Sequence, residues 1–356
     1  MMAVRKTNKA LKTFSLRNII IAVIFGFGIA VFFIYRDVKM HGANNFSLTS
    51  CYLWWLFLAI LMICLRHIAY MYRIWLLTDK KISFRNTFST ITLWEFASSV
   101  TPTVVGGTAV AFFIINKEGI KMGRTTAIVL ITLMLDELFF VLLIPVFLLT
   151  MGSSVFFAAA NLDIGSMNLG IKELFLIGYF ISFIVVIIMF AGVFISPQTV
   201  KNFLCRITRI PFMKRWQHKA EATGNDIVTA SLEFKNRSIA FWLKAFGATV
   251  LAWITRYLTV NFLIMMFVIS NDQLLIFARQ LFMWVILLIT PTPGASGAAE
   301  YGFTVFLGEF LPLGIAAPLA FFWRLISYYP YIIMGVIVLP VWLRRVVRKT
   351  KQKALH

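Results

Sequence analysis

The chain has 356 residues, of which 60% are hydrophobic and 13% are charged, and its mean hydropathy is +0.85. This composition excludes an ordinary soluble domain and predicts an all-α polytopic membrane protein. The net charge of +20 does not indicate nucleic-acid binding, because 25 of the 34 lysines and arginines lie in separate hydrophilic segments and form no contiguous basic face. These segments are 1–18, 78–85, 117–124, 197–238 and 343–356.

Six segments are long and apolar enough to cross a bilayer, which takes about 20 residues. In chain order they are 17–36, 51–77, 125–150, 174–196, 239–269 and 313–342. The first follows a basic segment, 1–16, and no small-residue cleavage site comes after it, so we interpret it as a retained span. The sequence therefore predicts one transmembrane domain over 17–342, followed by a basic tail over 343–356.

Two further apolar segments, 84–116 and 273–309, are each interrupted by the letters TPT. The first reads "TPTVVGGTAV" from Thr101 and the second reads "TPTPGASGAA" from Thr290. Each half of these segments has only about 12–17 residues, which is short for a bilayer span. We expect two re-entrant broken-helix hairpins. The alternatives are one kinked full span in each segment, or two complete spans in each segment, which would leave the sidedness of the later segments unchanged.

The positions of the basic clusters restrict the topology. If both hairpins re-enter, all five basic segments fall on one side of the membrane, as the positive-inside rule requires. If only one of the two hairpins crossed the membrane completely, every later segment would lie on the opposite side, and the basic segments would no longer share one side. The sequence thus predicts cytoplasmic N- and C-termini in a bacterial inner membrane. We expect the 197–238 loop to form a short amphipathic helix or helix pair near anionic headgroups, and a merely solvated loop is the alternative.

Each TPT break can start a half-helix near the middle of the membrane. Pro102 and Pro291 cannot continue a hydrogen-bonded helix, and Thr101 and Thr290 stand at the two breaks. Freed backbone groups survive in hydrocarbon only where they are buried in protein or line a wet cavity. Helix N-termini attract anions such as phosphate, and two breaks entering from opposite faces are typical of inverted repeats in transporters. The glycines that permit these backbone shapes are Gly106, Gly107, Gly294 and Gly297.

Ionisable residues inside the spans form a second group of candidates. A charge at such depth costs about 3 kcal/mol even on a lenient insertion scale, so it normally faces a partner or a cavity. Structural ion pairs, for example Arg66 with Glu95 or Arg324 with Glu300, are the alternative to a role in transport. Arg73 lies closer to a span end, and we expect it to extend to the interface. The deep charges are Arg66, Glu95, Asp136, Glu137, Arg256, Glu300 and Arg324.

Enzyme chemistry has little support in the sequence. It contains no cluster of metal ligands, no phosphate-binding glycine loop before a lysine, and no nucleophile motif in its proper context. The three cysteines fit neither a metal spacing nor a disulfide framework. No cofactor is predicted. Asp136 and Glu137 are adjacent on a helix and point in different directions, so they are not a paired-carboxylate site.

The motifs around the two breaks resemble those of a known family. "TPTVVGGTAVAFFIINKEGI", followed by a span containing "LDELFF", and the later "PTPGASGAAEYGF" are similar to the membrane region of the lysylphosphatidylglycerol synthase (MprF-type) superfamily. The resemblance covers about residues 15–342 in span order and break positions. It implies a flippase-like domain that moves a phospholipid, aminoacylated in the best-known members, between leaflets. The soluble aminoacyl-transferase domain of those members is not expected here, and relatives beside polyprenyl-linked glycosylation machinery leave the cargo open.

The sequence therefore predicts a lipid flippase or transporter. The lipid phosphate would meet the half-helix starts, helped by Arg256 and Arg324, while Glu95, Glu300, Asp136 and Glu137 would receive a cationic headgroup or hold those arginines. One alternative is a membrane-embedded transferase acting on a lipid-linked substrate, for which Asp136 or Glu137 is the candidate base. Another is an accessory subunit of a partner synthase. The oligomeric state is not predicted.

Overall fold

The structure is a computed structural model that describes residues 35, 53–101, 103–153, 171–208, 217–287 and 295–355. Those residues are almost entirely helical, and no strand occurs among them. The prediction of an all-α polytopic membrane protein is therefore confirmed. The basic segment 1–16 and, apart from residue 35, the predicted first span 17–36 lie outside the described residues.

Five helical segments are long and apolar enough to cross a membrane, and they coincide with the other five predicted spans. The helices that form four of them are α1 (Leu53–Leu77), α4 (Met122–Met151), α5 (Ile171–Phe190) and α8 (Ile239–Met265). A single π-helical turn, Ala191–Ile195, extends α5. The fifth segment, Ala316–Arg348, consists of two helices that are described below.

Hairpin 1 comprises α2 (Phe84–Val100) and α3 (Thr103–Lys117), which flank the first break. With 17 and 15 residues at about 1.5 Å each, neither helix reaches the roughly 30 Å thickness of a hydrocarbon core. The two helices pack against each other, and residue 101 between them has an extended backbone. Their dimensions are those expected of the re-entrant hairpin.

Gly107 allows the two helices of hairpin 1 to approach closely. A Cβ built on Gly107 would lie 2.0 Å from the Ser98 Oγ atom and 2.9 Å from the Ser98 Cα atom. Because a backbone atom is involved, even alanine would force α2 and α3 apart. The sequence predicted instead that Gly107 exposes a backbone N–H to an anion. The structure places this glycine one turn inside α3, at a helix–helix contact.

Hairpin 2 comprises α9 (Gln273–Leu287) and α10 (Ala298–Leu307), with 15 and 10 residues. Their antiparallel packing is marked by a contact between the Phe282 and Phe306 rings, whose centroids are 5.6 Å apart. Nearer the open end, Arg279 forms an ion pair of 2.8 Å with Glu309. The turn between the two helices is described from residue 295 onward.

The predicted last span is broken into α11 (Ala316–Ser327) and α12 (Tyr329–Leu355) rather than being one helix over 313–342. Pro330 explains the break, because it has no N–H with which to bond the carbonyl group four residues earlier. Tyr328 stands at the break with φ −113° and ψ −55°.

Contacts along α11 and α12 show the direction in which each hairpin points. The outer end of hairpin 2 packs at the start of α11, where Gly308 meets Ala316. Near the end of α11, the Arg324 Nη2 atom donates to the Ser296 Oγ atom at 3.2 Å, and Ser296 belongs to the tip of hairpin 2. Hairpin 2 therefore points along α11 towards the break at Tyr328.

Hairpin 1 meets the same break from the other end. The Tyr328 hydroxyl donates to the Ser99 carbonyl at 2.8 Å, close to the tip of hairpin 1. Further along α12, Arg345 bonds to both Asn86 and Glu118, which lie at the two outer ends of hairpin 1. The hairpins thus enter from opposite ends of the molecule and their tips converge, which is the arrangement that the inverted repeat predicted.

The 197–238 loop contains the expected helix pair, α6 (Pro197–Ile207) and α7 (Gln217–Lys235). Helix α7 packs against the start of α4, where a Cβ on Gly123 would lie 2.2 Å from the Asp226 Cβ atom. The contact is reinforced by Arg124, which forms ion pairs with both Asp79 and Glu233. Helix α7 is therefore docked on the transmembrane helices and is not a freely solvated loop.

Candidate functional site

A cavity of about 290 Å³ lies where the two hairpin tips converge. Thr101 from the tip of hairpin 1 and Ala295 from the tip of hairpin 2 both line it. The surrounding wall comes from α1, α2, α4 and α8 to α12. Six of the seven deep charges predicted from the sequence also line this cavity, namely Arg66, Glu95, Asp136, Glu137, Arg256 and Arg324.

One pair of these charges joins α1 to hairpin 1. The Arg66 Nη2 atom lies 2.8 Å from the Glu95 Oε1 atom, and both side chains are largely buried. The guanidinium group of Arg66 also faces the rings of Tyr70 and Tyr331 at 5.4 and 5.5 Å. The ion pair that the sequence offered as the alternative for these two residues is therefore present.

A second pair corrects the expectation for Arg73. This arginine is buried within the bundle, and its guanidinium group binds Asp136 through contacts of 2.6 and 3.1 Å. Asp136 also accepts a hydrogen bond of 2.9 Å from the Trp253 indole nitrogen. Arg73 does not extend to the interface, because Asp136 on α4 provides a counter-charge at the same depth.

A third ion pair joins α11 to the start of α10, at the tip of hairpin 2. The Arg324 Nε atom lies 3.1 Å from the Glu300 Oε1 atom, and the two side chains are 9% and 4% exposed. The other carboxylate oxygen of Glu300 accepts the backbone N–H of Gly297 at 2.6 Å. Gly297 precedes α10 with φ +84°, a conformation that favours glycine.

The start of α10 therefore already holds an anion, which is the Glu300 carboxylate. The sequence predicted that Gly297 presents an open N–H to the lipid phosphate, but this donor is occupied, and neither Gly297 nor Glu300 lines the cavity. At the first break, Thr101 lines the cavity, and its hydroxyl donates back to the Ala97 carbonyl at 2.6 Å.

The structure does not describe the side-chain surroundings of the other residues predicted at the breaks. Gly106 falls within α3, and its surroundings are outside the description. Four of the predicted residues lie outside the described residues altogether, namely Pro102, Thr290, Pro291 and Gly294.

Arg256 differs from the other cavity arginines. Within the described part of the chain it forms no ion pair and no hydrogen bond, although it lines the cavity. Its guanidinium carbon lies 5.1 Å from the ring centroid of Trp253 and 4.8 Å from that of Trp284. Two indole rings thus hold the cation in place without neutralising its charge.

Glu137 is the carboxylate that is not committed to an ion pair among the described cavity residues. Ser182 on α5 lies beside Glu137. The Glu137 Oε2 atom is buried and has no hydrogen-bond partner in the described part of the chain. The same residues contain no group of three or more His, Cys, Asp or Glu side chains placed to bind a metal. The arrangement can bind an anion at Arg256 and a hydrogen-bond donor at Glu137.

The sequence interpretation missed the aromatic part of the site. Trp253, Tyr257, Trp284, Tyr328 and Tyr331 all line the cavity. One signal was available, since Trp253 precedes Arg256 by three residues on a helix and therefore shares its face. The contribution of Trp284 could not be found in this way, because it comes from a different hairpin.

Comparison with known proteins agrees with the resemblance seen in the motifs. The family described as "Lysylphosphatidylglycerol synthase TM region" matches residues 19–335. A "UPF0104 membrane protein" of Archaeoglobus fulgidus is 24% identical over 265 residues, which cover 72% of this chain and 76% of that protein. The match over most of the chain, together with the observed all-α membrane fold, shows that this protein belongs to the lysylphosphatidylglycerol synthase TM region family.

Proposed function

We propose that this protein is a flippase or transporter that moves a phospholipid, or another lipid-linked headgroup, between the two leaflets. The observation that carries the proposal is Arg256, which has no ion-pair partner among the described residues and lines a cavity bounded by two converging hairpin tips. A cation at membrane depth is costly, so a site that keeps one without an ion-pair partner in the described part of the chain is suited to an anionic ligand. The lipid phosphate is the anion that the bilayer supplies.

The remaining charges support this role by forming a rigid frame. Arg66–Glu95, Arg73–Asp136 and Arg324–Glu300 neutralise one another, so their helices are fixed around the cavity. A volume of about 290 Å³ holds a headgroup, while the acyl chains would stay in the bilayer. Movement would be a rocking of one span–hairpin–span repeat against the other around the bound headgroup.

A membrane-embedded transferase for a lipid-linked substrate is the second candidate, and Glu137 is the observation in its favour. Glu137 lines the same cavity, its Oε2 atom has no hydrogen-bond partner in the described part of the chain, and this carboxylate would be the general base. Asp136 is less suited, because Arg73 and Trp253 already occupy its oxygens. An accessory role beside a partner synthase would use the same lipid site without either movement or chemistry.

The test is lipid movement by the purified protein in liposomes. Acyl-labelled phospholipids should cross the bilayer faster with the protein than in protein-free vesicles, as measured by the labelled fraction that an impermeant quencher reaches. Native mass spectrometry of the detergent-purified protein should show a bound phosphate-bearing lipid. A covalently altered lipid would favour the transferase, and co-purification of a synthase without lipid movement would favour the accessory role.

We also propose a multi-pass location in the bacterial inner membrane with both termini in the cytoplasm. In a cysteine-free background, single cysteines at Lys80, Lys121, Lys214 and Lys351 should be protected from an impermeant thiol reagent in intact cells. Cysteines at Gly152 and Asp272 should be labelled. Labelling at Lys121 but not at Gly152 would contradict re-entry of hairpin 1.

A further inference from the structure

The cavity wall contains one carboxylate and one cation that stand outside the ion pairs formed by the other deep charges. Three deep carboxylates of the described chain are held by arginines, whereas Glu137 and Arg256 form no ion pair there and line the same cavity. Because the paired charges cancel, the described deep charges sum to zero only while Glu137 is ionised.

The surroundings of Glu137 contain few other groups that titrate. Those that share its helix or line its side of the cavity, within the described residues, are Asp136 on α4, Tyr179 on α5, and Arg256 and Tyr257 on α8. Asp136 is bound by Arg73 of α1, and the charged residue of α9, Arg279, is paired with Glu309. Helices α3 and α7 also pack on α4, and their contacts with Arg124 and its neighbours lie several turns from Glu137.

Burial of Glu137 favours a proton over a larger cation as its partner. The Oε2 atom is buried and has no hydrogen-bond partner among the described residues, so an ammonium group of a bound headgroup has no room to contact it. A proton needs no such room. Because the residue lines the cavity, water that enters the cavity can exchange a proton with the carboxylate. Carboxylates at membrane depth commonly belong to proton pathways.

Binding of an anion would change the charge balance of the cavity. A singly charged phosphodiester at Arg256 adds one negative charge, and it repels the ionised Glu137 carboxylate across a site of low dielectric constant. Addition of one proton to this carboxylate gives a neutral carboxyl group and restores the balance. The linkage is reciprocal, so protonation of Glu137 also strengthens binding of the anion.

We propose that Glu137 carries one proton with each anionic headgroup, so that lipid movement is coupled to a pH gradient. The proton comes from water on the side where the headgroup enters and returns to water on the side where the headgroup leaves. Proton and phosphodiester thus cross together without net charge. This proposal rests on the proposed function, because it names the driving force for the lipid that is moved.

The test uses acyl-labelled phosphatidylmethanol in liposomes containing the full-length protein. This lipid has a singly charged phosphodiester and no other titratable group, so a pH response beyond that of protein-free vesicles belongs to the protein. With the outside about one pH unit more acidic, the labelled lipid should become about tenfold enriched in the inner leaflet, because one proton moves with each lipid. A potassium diffusion potential at equal pH should give no enrichment, since the transported pair has no net charge. An impermeant quencher measures the outer fraction.

Glu137→Gln is the decisive variant, because it keeps the size of the side chain and cannot take up a proton. It should still move the lipid, but the pH gradient should no longer give enrichment and the potential should now do so, since the anion crosses alone. Glu173→Gln is the control, because it removes an exposed carboxylate at the start of α5, outside the cavity lining, and should behave as the parent does. Both readouts are equilibrium ratios, so a smaller amount of folded protein slows them without changing them.

Other outcomes would contradict the proposal in distinguishable ways. Enrichment that follows the potential and not the pH gradient in the parent protein would overturn the coupling and leave the transporter function in place. A response to the pH gradient that persists in Glu137→Gln would overturn the assignment to Glu137. If this residue bound an ammonium group, Glu137→Gln would stop movement of phosphatidylethanolamine and the parent would show no pH response with phosphatidylmethanol, which also overturns the proposal. Movement of neither lipid would instead contradict the proposed function itself.

Discussion

Replacement of Arg256 by glutamine is expected to reduce lipid movement about 10- to 100-fold while the protein remains folded. The rate falls because a charge-assisted hydrogen bond to the phosphate is worth about 1.5–3 kcal/mol. The fold survives because, among the described residues, Arg256 neutralises no carboxylate, so its removal leaves no buried anion without a partner. The measurement is lipid scrambling in liposomes, normalised to folded protein determined by size-exclusion chromatography.

The control for Arg256 is a cation on an indole ring outside the cavity. Lys80 lies over the Trp75 ring at 4.8 Å and does not line the cavity, so Lys80→Gln should leave the rate unchanged. Arg256→Lys should retain part of the activity, because it keeps the charge and loses the planar two-pronged donor geometry. A loss of movement in Arg256→Gln that merely follows a loss of folded protein would assign this arginine a structural role.

The spans and the hairpins could be predicted from the sequence because hydrophobic length and proline position are local properties. Apolar runs of more than 20 residues fixed five described spans, and the two TPT breaks marked helices that are too short to cross. The break at Tyr328 also had a local signal in Pro330, which the prediction of a single span over 313–342 overlooked. The average hydropathy of that segment does not report that Pro330 cannot donate a helical hydrogen bond.

The pairing of the charges could be predicted only in part. Arg66–Glu95 and Arg324–Glu300 were foreseen as alternatives, because their depths in neighbouring elements match. Arg73–Asp136 was not foreseen, since its position near a span end suited an interfacial side chain equally well. Recognising that Arg256 has no ion-pair partner among the described cavity residues requires knowing which helices are in contact, and helix periodicity does not contain that information.

The helix start in hairpin 2 shows what a sequence break leaves undetermined. A break followed by glycines indicates where a helix can start, but it does not say whether the chain itself supplies the anion. In hairpin 2 the chain does so, because Glu300 is the third residue of α10 and its carboxylate reaches back to the Gly297 N–H. At the start of α10 the proposed phosphate site therefore depends on Arg256, which the sequence had also named, and not on the Gly297 N–H.

Replacement of Glu300 is expected to have the largest effect on stability. Glu300→Ala leaves the buried Arg324 without its counter-charge and the Gly297 N–H without its acceptor, and breaking a buried ion pair costs about 3–5 kcal/mol. Glu300→Gln removes the charge but retains an acceptor for Gly297, so it should cost less than the alanine variant. The measurement is the midpoint of thermal unfolding of the detergent-purified protein.

Two further variants separate the ion pair from a role in cargo binding. Glu309→Gln is the comparison variant, because Glu309 also pairs with a buried arginine, Arg279, yet its own side chain is 54% exposed, so water can replace part of the lost interaction and the loss of stability should be smaller than for Glu300→Gln. Combining Glu300→Gln with Arg324→Met should recover stability relative to Glu300→Gln alone, since no buried charge is then left without a partner. If Glu300→Gln instead keeps the parent's unfolding midpoint and loses lipid movement, Glu300 serves the cargo, and the Arg324–Glu300 pair does not hold hairpin 2 in place.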